Sequence, residues 1–322
     1  MNGGNGQRTP SIPSPADFTD AEGTARARKR AKRAFWIAVV LFFLTVLSTL
    51  ATGTEYSLAF AENRPPFEDG FQFYVNIWND PGLLVAGLPF SFTLLGILLA
   101  HELGHYFACR YYGIAASFPY FVPAPTIIGT MGAFIRIRSP IVNRKALFDV
   151  GIAGPLVGFL FAVPALALAV AHSKVLAGAQ ASAVVLFGQP LIEKLFALLL
   201  HPEGTAANLF LHPVGRAAWV GLLATGLNLL PVGQLDGGHI VYALLGRIHR
   251  QISLIMIVIL LILGRTFWSG WYVWAVLLLL LGFRHPRLID QWEPLDAKRR
   301  AWALVALLIF ALCFIPAPII EP

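Results

Sequence analysis

Leu83-Leu-Val-Ala-Gly-Leu-Pro-Phe-Ser-Phe-Thr-Leu-Leu-Gly-Ile-Leu-Leu-Ala-His101-Glu102-Leu103-Gly104-His105 is an apolar run that closes on three ionisable side chains. A helix rising 1.5 Å per residue needs about 20 apolar residues to cross a bilayer, so the run reads as a membrane helix. Histidines at i and i+4 share one helical face, where both imidazoles can hold a single metal ion. Glu102 beside them can take a proton from a water that the metal activates. The plain alternative is a chance match on an interfacial helix. Ionisable groups at membrane depth are costly, and that cost favours function.

The rest of the chain fits a membrane protein. Its 322 residues are 57% hydrophobic and 13% charged, with a mean hydropathy of +0.68. The length suits one membrane domain, an all-α polytopic fold of about six to seven transmembrane helices with a short membrane-associated β-hairpin. The net charge of +7 is uneven. Arg26, Arg28, Lys29, Arg30, Lys32 and Arg33 stand just before the first apolar run. Beside a span, such a cluster marks the cytoplasmic side, and no nucleic-acid partner is expected. Residues 1–33 are expected to be a disordered, basic cytoplasmic tail, and 34–322 a single membrane-embedded domain with its core at about 83–240. No cleavable signal peptide is expected. Cys109 and Cys313 lie in apolar runs and make no disulfide framework; Cys109, four residues after His105, is expected to pack as a small core residue.

Alternation of spans sets the sides. Ala34–Thr52 runs outward; Thr54–Asp80, rich in Glu and Asp, suits an external loop; Leu83–Gly113 returns, bringing His101–His105 to the inner end. In Ala115–Asp149, prolines 119, 123 and 125 break any helix, and Ile127–Arg136 reads as extended and hairpin-like. An apolar strand at membrane depth must be buried in protein or line a wet cavity. Leu147–Ala171 is the third span, where Gly151, Ala153, Gly154 and Gly158 allow close helix packing. Leu191–Leu200 is expected as an external, interfacial helix, and Val214–Leu230 as the fourth span, heading inward. Ile252–Gly264 and Trp271–Leu281 form a helical hairpin or one bent segment, and Ala301–Phe314 is the last span.

Two histidines do not complete a catalytic zinc site, which takes three protein ligands and an open position. Asp236 is the candidate third ligand, because the second and fourth spans end at the same face. Pro231 loosens the backbone ahead of it, and Gly237 and Gly238 offer freedom to turn its carboxylate inward. Without the histidine motif, Asp-Gly-Gly would read better as a turn at a span end.

His-Glu-Leu-Gly-His at 101–105 with Asn-Leu-Leu-Pro at 228–231 and Leu-Asp-Gly-Gly at 235–238 resembles the site-2 protease family of intramembrane zinc metalloproteases, peptidase M50. Phe118–Pro123, Gly129–Ile137, Asn143–Asp149 and Ala153-Gly-Pro resemble its branch of plant chloroplast proteins and their prokaryotic relatives. The resemblance, over roughly 85–240, implies one Zn²⁺ per chain on His101, His105 and Asp236, Glu102 as general base, and transmembrane protein substrates in the lipid bilayer. It implies a multi-pass protein, expected in a bacterial cytoplasmic membrane with the N-terminus and active site toward the cytoplasm. No PDZ insertion or cystathionine-synthase-type domain is expected. A transmembrane substrate must unwind before cleavage, and its freed amides need partners. The resemblance favours the extended stretch for this, with Gly129, Thr130, Met131, Gly132, Ala133 and Phe134 adding the substrate as a strand. Asn228 is expected to steady substrate or a developing oxyanion, or else to bond a neighbouring helix. The other readings of these residues are a metal or solute transporter and a catalytically silent membrane scaffold; a transporter favours repeated halves, and no repeat is visible.

Overall fold

The computed structural model describes residues 15–68, 70, 72–176, 186–201, 209–283, 285–286, 288–290 and 293–320, with side chains from residue 28 onward. The first helix, α1, spans Pro15–Glu62. Residues 15–33, expected as disordered tail, are therefore helical, and residues 1–14 lie outside the described residues. Residues up to Val40 form a unit of their own, and the body Leu41–Pro322 contains everything discussed below. At its far end α1 outruns the expected limit at Thr52 because the charge that would have stopped it is neutralised. The buried Glu55 carboxylate accepts from Arg64 Nη1 at 2.7 Å and from the Phe67 backbone amide at 2.8 Å. A charge so paired no longer needs water.

The expected external loop contains a short helix, α2 (Gln72–Asn79), and a 3₁₀ turn at Pro81–Gly87 precedes α3 (Leu88–Tyr111). The stretch after α3 is non-helical as anticipated. It forms an antiparallel pair, β1 (Tyr120–Pro123) and β2 (Thr130–Phe134), with Phe121 opposite Ala133. Then α4 (Arg144–Ala171) starts on Asn143, whose side chain accepts from the Ala146 amide at 2.8 Å; Pro155 and Pro164 lie inside it. Next come β3 (Lys174–Val175), β4 (Leu186–Phe187), the amphipathic α5 (Leu191–Leu200) and β5 (Leu209–Phe210). The chain returns through α6 (Pro213–Asn228), turns at 229–235, and continues as α7 (Asp236–Leu245) and α8 (His249–Thr266). Finally α9 (Gly270–Leu281) packs back on α8 as a helical hairpin, α10 (Ala297–Cys313) follows, and β6 (Ile319–Ile320) pairs with β4.

Four helical segments are long and apolar enough to cross a membrane, 28–62, 81–111, 144–171 and 236–266, and α9 is a shorter apolar helix. The protein is mostly helical and multi-pass. Helix α4 is the hub, packed against α3, α6 and α7, with α10 across α4 and α6. Because lipid is as apolar as leucine, close packing rather than the hydrophobic effect joins such helices. The hub accordingly carries buried Gly151, Gly154 and Gly158 among Leu147, Phe148, Ile152 and Leu166. Large apolar side chains such as Phe92, Leu160, Phe161 and Leu280 point outward, as suits a lipid-facing surface.

Candidate metal centre

The last turns of α3 present His101, Glu102 and His105, all buried, to the seam between α4 and α7. Pro231 ends α6 early, the chain turns with Gly233 at φ +57°, and α7 begins on Asp236 itself. Gly237 and Gly238 act differently from expectation. Both are helical without positive φ. A Cβ on Gly238 would meet the carbonyl oxygens of Gly233 at 2.5 Å and Val232 at 2.8 Å, and one on Gly237 would strike the carbonyls of Leu229 and Leu230. They let α7 press into the preceding turn, and that close approach carries Asp236 to α3.

There the donor atoms converge. His101 Nε2 lies 3.1 Å from His105 Nε2, and Asp236 Oδ2 is 3.3 Å from each. Metal–ligand bonds of about 2.0–2.1 Å at tetrahedral angles put donors about 3.3 Å apart, so the triangle has the dimensions of one face of a zinc tetrahedron. Two imidazoles and a carboxylate are also a zinc donor set. His105 Nδ1 stands 2.7 Å from the Val150 carbonyl oxygen. A carbonyl only accepts, so Nδ1 carries a proton, and in the neutral ring that a metal requires Nε2 is the lone pair facing the other donors. The glycines of α4 make room for this. A Cβ on Gly154 would stand inside the His105 imidazole, and one on Gly158 would meet His101 Nδ1 at 3.1 Å. The small-residue face, which packing explains adequately from sequence, is thus also the wall behind both rings.

Two adjoining cavities, each about 210 Å³, open from this centre and share His101, Glu102, Ala133 and Asn228. Of the residues expected to meet substrate, Thr130, Met131, Gly132 and Ala133 line the first, and Ala133 and Phe134 the second. Among the described residues the free edge of β2 bears no partner strand. Gly129 lines neither cavity. It sits in the hairpin turn at φ +80°, pressed on α1, where a Cβ would meet Thr49 Cα at 2.9 Å. Asn228, the last residue of α6, reaches His101 Nε2 with Nδ2 at 3.3 Å. Cys109 is buried with Ile114, Ala146 and Val150 and is not one of the clustered ligating residues.

A row of α1 side chains at the hairpin escaped sequence reading. Ser48 Oγ donates to the Gly129 carbonyl at 2.6 Å, Thr52 Oγ1 to Thr126 at 3.1 Å, and Tyr56 Oη to Ile127 at 3.0 Å. Positions 48, 52 and 56 recur every fourth residue on one face of an apolar helix, and that polar stripe was the available signal.

The profile of peptidase family M50 matches residues 89–264, which spans the histidine motif, β2, α4 and Asp236. The chain is 31% identical over 300 residues to the probable zinc metalloprotease EGY1, chloroplastic, of Arabidopsis thaliana, covering 87% of this chain and 53% of that protein. Against the probable zinc metalloprotease EGY2, chloroplastic, of the same plant, identity is 31% over 301 residues, covering 88% of this chain and 49% of the relative. The rice (Oryza sativa subsp. indica) protein named probable zinc metalloprotease EGY3, chloroplastic, is 26% identical over 248 residues, covering 71% and 42%. The chain spans about half the length of the first two of these relatives. With the profile covering more than half of its residues, the chain belongs to peptidase family M50.

Proposed function

We propose that the protein is an intramembrane zinc endopeptidase that hydrolyses peptide bonds in or near transmembrane segments of membrane proteins. The observation that carries this is the triangle of His101 Nε2, His105 Nε2 and Asp236 Oδ2 at zinc spacing, with Glu102 in the same cavity. Zinc held there, one ion per chain, supplies Lewis acidity that brings a water to nucleophilic strength near neutral pH and polarises the scissile carbonyl.

The protein's own groups do the rest. Glu102 takes the attacking water's proton on its carboxylate and passes it to the leaving amine. The Asn228 amide is directed at His101 Nε2, whose single lone pair would no longer be open to it with a metal held there. Its N–H is then available to the oxyanion that develops in the cavity. The free edge of β2 receives the unwound substrate as an added strand, satisfying amides that lipid cannot. Thr130 to Phe134 provide that edge, and Gly129 shapes the turn that holds it. The basic cluster at 26–33, ahead of the apolar part of α1, puts the N-terminus in the cytoplasm; alternation then places the inner end of α3 and the start of α7 there too. We read the shorter α6 and α10 as further spans, six to seven in all, in a bacterial cytoplasmic membrane.

Purified, zinc-loaded protein in detergent should cut a synthetic transmembrane substrate. Glu102→Gln should lower turnover by about 10²–10⁴-fold while keeping one zinc per chain, because the variant loses the base and no ligand. Full activity in Glu102→Gln would end the assignment.

A further inference from the structure

His239 lies on α7 three residues after Asp236 and lines the cavity that also contains Glu102, Ala133 and Phe134. It is not one of the three residues whose ligating atoms lie within 4.8 Å of one another. Its chemistry is set from outside the site. His285, in the loop before α10, places Nδ1 2.6 Å from the Pro286 carbonyl oxygen. Since that oxygen only accepts, His285 Nδ1 carries a proton, and in the neutral ring Nε2 is an acceptor. Burial holds His285 below the ordinary histidine range, which favours the neutral ring. Its Nε2 stands 2.8 Å from Nδ1 of His239. His239 must therefore donate from Nδ1, which leaves its Nε2 as a bare acceptor. Tyr242 stacks on the His285 ring at 4.2 Å between centroids and holds it in plane. Among the described residues no group bonds His239 Nε2, and it is not one of the sealed side-chain atoms without a partner. Two hydrogen bonds and a stacked tyrosine thus leave a cavity-lining histidine with one acceptor nitrogen that has no partner among the described residues.

We propose that His239 is a substrate-binding residue whose Nε2 accepts a backbone N–H of the unwound substrate, with His285 and Pro286 as positioning residues that lock its tautomer. The proposal rests on the protease reading above. An unwound segment frees amide hydrogens on both of its edges. The edge laid on β2 finds partners there, whereas an amide on the other side needs an acceptor from elsewhere in the cavity.

The test uses the full-length, zinc-loaded protein and a synthetic transmembrane substrate in which single backbone amides near the scissile bond are replaced by esters. With wild-type protein, one ester position should lower kcat/KM on the order of 10- to 100-fold. His239→Ala should show that same loss on the all-amide substrate, chiefly through KM, and no further penalty from that ester. His239→Gln, which restores an acceptor, should recover part of it. His285→Phe keeps a ring against Tyr242 but removes the acceptor, and should raise KM with zinc content unchanged. Nitrogen NMR of labelled histidine rings should find His239 protonated on Nδ1 in the wild type and released from that tautomer in His285→Phe. Wild-type kinetics in His239→Ala, an ester penalty undiminished in that variant, loss of zinc from it, or a wild-type His239 protonated on Nε2 would each overturn the proposal. Failure of the wild type to cut any substrate would instead remove the protease reading, and this proposal with it.

Discussion

A side chain on Gly154 would occupy the space of the His105 ring, so that one hydrogen atom decides whether the imidazole can reach Asp236. Gly158 is less demanding, since a Cβ there meets His101 at 3.1 Å and a small shift relieves it. Gly154→Ala is therefore expected to weaken zinc binding by about 10–100-fold, the range for losing a group that orients a ligand. Gly158→Ala should be milder. Competition with a chelator of known affinity, on protein that still elutes as a folded species, separates the two. The histidine pair was legible because a helix repeats every 3.6 residues and puts i and i+4 together whatever surrounds it. The glycines were legible only as a packing face, because nothing local says which ring lies opposite.

The β1–β2 hairpin is held as an element by α1. Three hydroxyls take up the carbonyl oxygens of residues 126, 127 and 129, groups that lipid would leave unsatisfied. Each such bond contributes about 1 kcal/mol. Ser48→Ala and Tyr56→Phe should loosen the turn and let β2 shift along the site. Their expected signature is a raised KM and cleavage at more than one bond, read by mass spectrometry of the products, with zinc content unchanged. Unaltered KM and a single cut in the Ser48→Ala, Tyr56→Phe double variant would count against this role. The hairpin was foreseeable because Pro119, Pro123 and Pro125 forbid helix over that stretch. Its anchor was not, since α1 and the hairpin are far apart in sequence and a threonine in a membrane helix has many uses. The freedom attributed to Gly237 and Gly238 was misjudged for the same reason: a glycine's sequence neighbours do not reveal whether it is there for φ or for close approach.

In the whole molecule, Arg299 on α10 ties three helices together at one end. It bonds Asp149 of α4 through Nε at 2.9 Å and Nη2 at 2.5 Å, the hydroxyl of Tyr112 just after α3 at 3.1 Å, and Asp296. The pair is only partly exposed, at 23% for Arg299 and 29% for Asp149. Arg299→Ala should lower thermal stability in detergent by about 1–3 kcal/mol while leaving kcat of the folded fraction near wild type. Topology is testable by reporter fusions: residues 113–116 should lie on the side of the basic cluster, and residue 63 on the opposite side. By itself the sequence determined what depends on composition and short-range geometry. These are a membrane protein, a helix face carrying a histidine pair of metal-ligand spacing with a carboxylate beside it, a non-helical break, and a second acidic motif at the end of a later apolar run. What only the tertiary structure decided is every relation between helices. It set the spacing that makes three donor side chains one candidate metal site, the α4 wall behind the rings, the α1 row under the hairpin, and the contact of His239 with His285. Helix periodicity is a property of neighbours in the chain, whereas a distance of 3.3 Å between α3 and α7 is the sum of every contact in the bundle.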